Sequence, residues 1–334
     1  DYLYEEGKLG LNLMGQNMTA YIWDGGHPLV SHWEYDGPFA ENRVTIEDAA
    51  SEGGVSLLWH AGMVTGMIAS AGLYEHNAKG FAPYCRTKNY KWNNHLAEAT
   101  AAAANGMLLS NHSYGWNTNG LPSYLFGSYN TETADWDTLL FNAPHYLMVT
   151  SAGNDGNNND NSDPIMFGFD KLVGNKVAKN VLTVANAQDA TIAADGSLTS
   201  VTINSSSSQG PSDDRRIKPD ITGNGTGVLS LSNGTNTQTA SLTGTSMAAP
   251  NVTGTLLLLQ QHYKNVTGSF MKSATLKGLA CHTSDDGGEI GPDPVFGWGL
   301  LNAKKAAETI NNNGLTSWIS EERLNEGQIF TMTV

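Results

Sequence analysis

The ten residues Ser241-Leu242-Thr243-Gly244-Thr245-Ser246-Met247-Ala248-Ala249-Pro250 set a serine between a small turn-forming pair and an apolar run that continues to Leu256, Leu257, Leu258 and Leu259. Ser246 is therefore expected to open a buried helix, whose N-terminal amides favour negative charge. A serine hydroxyl is a poor nucleophile near neutral pH. It needs a histidine to take its proton and a carboxylate to orient that histidine. Both types occur upstream in suggestive settings. Thr19-Ala20-Tyr21-Ile22-Trp23-Asp24-Gly25-Gly26 is an apolar strand ending in an acid and two glycines, which puts Asp24 at a strand's C-terminal edge, where open parallel sheets build their sites. Leu57 to Ala69 carries His60 at the start of a helix rich in small residues. Taken singly, each has a duller reading: a helix cap, a strand-terminal turn, one histidine among nine. Together they supply an acid, a base and a nucleophile in the order Asp24, His60, Ser246.

That order is the one found in subtilisin, and the chain resembles the subtilisin-like serine peptidases, the subtilases. Val149-Thr150-Ser151-Ala152-Gly153-Asn154-Asp155-Gly156 is similar to the family's oxyanion-asparagine segment, and Arg216 to Ile221 to its loop before the serine. Phe296 to Ala303 resembles its C-terminal signature, so the likeness runs from about residue 17 to residue 310. It implies a side-chain amide on Asn154 that joins the Ser246 N–H in holding an oxyanion. It also implies a substrate-pairing segment at Ser113, Tyr114 and Gly115, where an extended peptide adds as a strand. Two positions depart from the family pattern: Gly25 stands where a hydroxyl residue is usual after the acid, and Met63 where a second histidine is usual. The function implied is a secreted serine endopeptidase acting through an acyl-enzyme. The alternatives are a peptide cyclase or ligase on the same fold and a noncatalytic peptide-binding protein.

The elements that must position these residues alternate between strand and helix patterns, which predicts an α/β fold. The family likeness makes this a subtilisin-like three-layer arrangement, a central, mostly parallel sheet flanked by helices. Strands are expected near 18–24, 80–88, 106–112, 145–151 and 180–186. Helices are expected over 60–71, 93–105, 131–142, 245–263, 269–281 and 302–311. The Ser-, Thr-, Asn- and Gly-rich stretch from Asp189 to Gly244 reads as surface hairpins and loops. Residues 1–311 are expected to form the peptidase domain and 312–334 a C-terminal extension. In that extension, Gln328 to Val334 has the pattern of a β-strand, either the first of a following β-sandwich or an edge strand of the catalytic domain.

Composition narrows the remaining choices. With 334 residues and 40% apolar content the chain can bury a large core. A net charge of −14 with only 18 Lys and Arg excludes a nucleic-acid binder, which needs clustered cations. No run is long and apolar enough for a membrane span. The first residues lack the pattern of an export signal; by resemblance, a signal peptide and an inhibitory propeptide preceded them. A monomer acting on protein or peptide substrates is expected. Cys85 and Cys281 could form one disulfide, but two unpaired buried thiols are preferred. The loop from Asp155 to Asp163 offers Asp155, Asp160 and Asp163 as hard oxygen ligands for structural calcium. It is not an EF-hand, since Asp160 stands where that loop requires glycine. The floor of the pocket for the residue before the scissile bond is expected in the irregular 156–170 region.

Overall fold

Seven strands, each running the same way, make the central sheet of the computed structural model, which describes residues 2–4, 7–37 and 41–332. In chain order they are β1 (Thr19–Asp24), β2 (Val44–Ile46), β3 (Arg86–Lys91), β4 (Leu109–His112), β5 (Leu147–Ser151), β6 (Leu182–Ala187) and, after the hairpin β7 (Thr191–Ile192) and β8 (Leu198–Ser200), β9 (Ile221–Asn224). Their order across the sheet is β2-β3-β1-β4-β5-β6-β9. A second hairpin, β10 (Val228–Leu231) with β11 (Thr239–Leu242), leads into the helix that opens at Thr245. The stretch from Asp189 to Gly244, expected to hold hairpins and loops, holds two hairpins together with an unexpected edge strand of the main sheet.

Parallel strands in mid-sheet are covered on both faces, and the alternation of side chains sorts them into two cores. Ala20, Ile22, Leu109, Leu147, Val149, Leu182 and Val184 join α1 (Trp59–Ala69), α4 (Thr245–Thr267), α5 (Ser273–Thr283) and α6 (Ala303–Asn311) on one side. Trp23 and Met148 point the other way, to α2 (His95–Ala104) and α3 (Thr131–Asn142). These are the three layers anticipated, and the six helices fall where the periodicity put them. α4 runs four residues further than expected, to Thr267, and the next residue, Gly268, with a φ of 85°, gives it a left-handed cap.

Two expectations shift. The strand expected at 80–88 forms at 86–91 instead. The apolar run Phe81–Cys85 is irregular because its backbone is taken up by neighbours: the N–H groups of Phe81 and Ala82 donate to Met67 and Ile68 at the end of α1. The C-terminal strand is not formed over Gln328–Met332, which pairs with no strand and leaves Ile329 89% exposed; a lone strand has no ladder to join. Val334, the end of that expected strand, lies outside the described residues. Cys85, just before β3, and Cys281, in α5, are free thiols, and burial pushes both up to about 12.

Candidate active site

Because all seven strands are parallel, their C-terminal ends share one edge, and there the sequence places its polar residues. Asp24 ends β1 and is 1% exposed. Its Oδ1 accepts the Gly25 N–H at 2.7 Å, and its two oxygens lie 3.0 and 2.7 Å from His60 Nδ1. Facing a carboxylate, Nδ1 carries the proton, which leaves Nε2 as a base. A Cβ at Gly25 would meet the outer edge of the Trp92 ring at 2.8 Å and Leu58 Cδ2 at 3.1 Å, so a side chain there must displace its neighbours. The backbone N–H, in place of the usual hydroxyl, braces the acid. Met63, in place of a second histidine, is buried in the main core.

Ser246 occupies the first turn of α4, and the register Trp23↔His112 sets Ser113 beside Asp24. Pro250 lacks the N–H that would otherwise reach the Ser246 carbonyl one turn back. That carbonyl accepts from Ser113 Oγ at 3.0 Å, while Ser246 Oγ donates to the Ser113 carbonyl at 3.1 Å. Ser246 and the candidate substrate strand are thus linked in both directions. Asn111 lies beneath, donating to Ser113 Oγ at 3.0 Å and accepting from Thr253 at 3.1 Å.

Asn154 follows β5. Its Oδ1 accepts from the Thr245 N–H at 2.9 Å and the Thr245 hydroxyl at 3.1 Å, so Nδ2 is the end left to donate into the cleft. Among the described residues the Ser246 N–H has no acceptor. Two unspent donors therefore sit by the serine, the arrangement an oxyanion hole needs. The sequence pointed to Asn154 but not to Thr245, Asn111 or Trp92, whose contacts with the site are made only on folding.

A model of the subtilase family matches residues 27–299. The chain belongs to the subtilase family. The match begins three residues after Asp24, so the role of that acid rests on its bond to His60. Stretches of the subtilase resemble curated bacterial proteins. It is 43% identical over 72 residues to the neisserial autotransporter lipoprotein NalP of Neisseria meningitidis serogroup B, covering 22% of this chain and 6% of that protein. It is 29% identical over 194 residues to an extracellular serine protease of Serratia marcescens, covering 55% of this chain and 17% of that one. The chain thus spans only a small part of these relatives. Among solved structures, the CspB protease of Clostridium perfringens overlays with a TM-score of 0.68 at 15% identity, covering 90% and 96% of the two chains. The patellamide maturation protease PatA does so with 0.65 at 20%, covering 89% and 98%. At these identities the overlays establish the fold.

In the subtilase the candidate substrate segment leaves β4 at Ser113. Among the described residues the Gly115 N–H and carbonyl make no backbone hydrogen bond, as a strand-accepting edge requires. The Tyr114 side chain turns inward, its hydroxyl 2.8 Å from His95 Nδ1 and 2.7 Å from His112 Nδ1, and its carbonyl accepts from buried Lys176 at 2.8 Å. Burial holds the Lys176 amine down to about 8. Trp92, Tyr114, Trp116 and Glu132 line a cavity of about 200 Å³ beside this edge. Burial raises the Glu132 carboxyl above its usual range.

The three acids expected to hold calcium are not gathered. Asp155 Oδ1 and Asp160 Oδ2 both accept from Thr118 Oγ1, at 2.9 and 3.1 Å, and the charge beside them is Lys171, whose amine bonds the Gly156 carbonyl. Asp163 stands exposed, its N–H on Asn161. Among the described residues no three acidic, histidine or cysteine side chains form a metal-holding group. A lysine beside two carboxylates opposes a divalent cation, so this donor set does not fit calcium.

Proposed function

We propose that this subtilase is a secreted serine endopeptidase in which Ser246 is the nucleophile, His60 the general base and Asp24 its orienting acid. The observation that carries the reading is the Asp24–His60 bond at a sheet edge shared with Ser246 and with an Asn154 amide fixed donor-end outward by Thr245. An extended peptide pairs along Ser113–Gly115, and its N–H groups compete for the Ser113 carbonyl that Ser246 Oγ occupies at rest. Released, the hydroxyl turns to His60 Nε2. Catalytic hydrogen bonds commonly tighten only when substrate is bound. Ser246 Oγ then attacks the peptide carbonyl carbon as its proton passes to Nε2, and Asn154 Nδ2 with the Ser246 N–H receives the oxyanion. His60 returns the proton to the departing amine, and water repeats the sequence to free Ser246.

Export is part of the same proposal. A net charge of −14 suits an extracellular protein, and relatives are named as an extracellular protease and an autotransporter; no helix among the described residues is long and apolar enough to cross a membrane. A propeptide ahead of the catalytic domain and a monomeric mature enzyme belong to this reading.

A fluorophosphonate reagent tests it. Label is expected on Ser246, with cleavage of a mixed peptide library that Ser246→Ala abolishes. Folded wild type that neither takes label at Ser246 nor cuts any peptide would sink the enzyme, leaving a peptide-binding protein. Products that are joined rather than hydrolysed would mark a ligase.

A further inference from the structure

The segment Ser113–Gly115 runs on past β4, whose ladder to β5 stops at His112, so something other than a neighbouring strand has to hold it in line. The grip comes from beneath. Lys176, delivered by the short turn Gly174–Val177 between β5 and β6, is 3% exposed and donates to the Tyr114 carbonyl at 2.8 Å. Its own carbonyl accepts from Thr183 Oγ1 of β6 at 2.7 Å, which ties the turn to the sheet. Gly115 lies over the amine, since a Cβ on it would run into Lys176 Nζ and Cε. The Tyr114 side chain is held from the same side, its hydroxyl between His95 and His112.

A buried ammonium is a poor choice for stability alone. Burial holds the amine down to about 8, so folding at neutral pH works against its charge, and the Tyr114 carbonyl is its one hydrogen-bond acceptor among the described residues. Glu132 of α3 and Asp155, after β5, offset that burial only in part. The ring of His112 on β4, held down chiefly by burial, is pushed further by His95 of α2 and by Lys176 itself. An apolar side chain in this space would carry no such cost. What the ammonium supplies is a charge-assisted bond to one residue of the peptide-accepting edge.

We propose that Lys176 is a positioning residue for substrate: its ammonium pins Tyr114 and Gly115 in the line with which an extended peptide pairs, and so sets peptide affinity. The proposal rests on the peptidase reading of Ser113–Gly115 as the pairing edge. Being buried, Lys176 acts through the Tyr114 carbonyl and not on the peptide itself. The consequence is a pH dependence of binding. An amine that loses its proton gives up the charge-assisted part of its bond, so affinity is full at neutral pH and falls as pH rises through about 8. His95 and His112 titrate below their ordinary 6.5, outside this window. Lys218 is also held to about 8, but it pairs with Asp220 at 2.6 Å and reaches the Lys176 backbone only through Thr183 Oγ1. Variants at 176 separate the two amines.

Fluorescence anisotropy tests this with the peptide that wild type cuts fastest from a mixed library, dye-labelled at one end, amidated at the other and free of Lys, Cys and Tyr. Binding is measured on Ser246→Ala from about pH 7 to 9.5, beside kcat and KM of the active enzyme. The dissociation constant is expected to rise about ten-fold across pH 8, the factor for one charge-assisted hydrogen bond. Lys176→Met should bind about ten-fold more weakly at pH 7 and show no step, with a Tm no lower than the parent's and, in the active enzyme, a raised KM at nearly constant kcat. Lys176→Gln keeps a neutral donor and should fall between the two, again without a step. A purely structural lysine would instead lower Tm and kcat together. Where Lys176→Met fails to fold, Lys176→Gln and the parent's own profile decide. Wild type that cuts the library while binding stays flat across pH 8, or a step that survives at position 176, overturns this proposal and leaves the peptidase standing. Folded wild type that cuts nothing overturns both.

Discussion

The side-chain oxygen of Asn154 receives two hydrogen bonds from Thr245, one from its N–H and one from its hydroxyl. An amide that could flip would offer an oxyanion its own oxygen half the time, so in the proposed mechanism Thr245 is the residue that positions Asn154. Thr245→Val keeps shape and backbone N–H but removes the second bond, worth about 1 kcal/mol. The expected result is a kcat lower by roughly five- to ten-fold with KM nearly unchanged, the mark of an interaction made in the transition state. Asn154→Ala should lose about 10²–10³ in kcat, the magnitude known for subtilisin's own oxyanion-hole asparagine. Steady-state kinetics of the two variants checks both, and an unchanged kcat in Thr245→Val would mean the backbone bond alone fixes the amide. Asn154 was legible because Ala-Gly-Asn-Asp-Gly carries family likeness, and Thr245 was not, since 91 residues separate the partners. Gly25 shows the same limit: it read as a missing hydroxyl, and only the fold reveals the Trp92 ring in the space a side chain would take.

At the level of elements, α1 must deliver His60 to Asp24, and the segment leading into it is fastened by a second acid–histidine pair. His27 is fully buried; its Nε2 lies 2.9 Å from Asp48 Oδ1 and its Nδ1 accepts the Ser56 N–H at 3.0 Å. Asp48 Oδ2 also takes the Lys91 N–H at 2.6 Å, and the His27 carbonyl takes the Leu58 N–H at 3.0 Å. His27→Ala would strand a buried carboxylate oxygen and loosen residues 56–58. A loss of about 3 kcal/mol in unfolding free energy is expected, together with a lower kcat in the molecules that remain folded. Urea unfolding and active-site titration separate the two effects, and a variant of undiminished stability would show that Asp48 finds another donor. The helix α1 itself was readable from its small residues, and so were β1, β4, β5 and β6. β9 was not: Ile221–Asn224 is four residues ending next to glycines, inside a stretch whose Ser and Thr content speaks for loops, and it becomes a strand because β6 offers it a parallel ladder from Val184 to Ala187.

For the whole molecule, burial of titratable groups sets limits on stability from both sides of the pH scale. His32, His95, His112 and His262 are held below their ordinary value of 6.5 chiefly by burial, most strongly His112, which also faces the charges of His95 and Lys176. The unfolded chain binds protons at these rings before the folded one does, so stability falls as pH drops below about 6.5. Four carboxyls, Glu98, Glu132, Asp170 and Asp213, are raised by burial and act in the opposite sense, their cost being relieved as pH falls through their raised values. On the alkaline side Cys85 and Cys281 move from 9.0 up to about 12, and Tyr4, Tyr35, Tyr90, Tyr114 and Tyr146 are raised from 10.0. These groups ionise first in the unfolded chain, so the stability they contribute is lost as pH climbs through 9 and 10. Lys176 and Lys218, lowered from 10.5 to about 8 by burial, oppose this: their cost is relieved between those values. Two amines cannot offset two thiols and five phenols, so the balance turns downward near pH 10. Urea unfolding of Ser246→Ala across this range should show greatest stability between about pH 6.5 and 10. Cys85→Ala should flatten the alkaline arm and His112→Gln the acid arm, whereas stability that still rose above pH 10 would mean the lysines govern the alkaline limit.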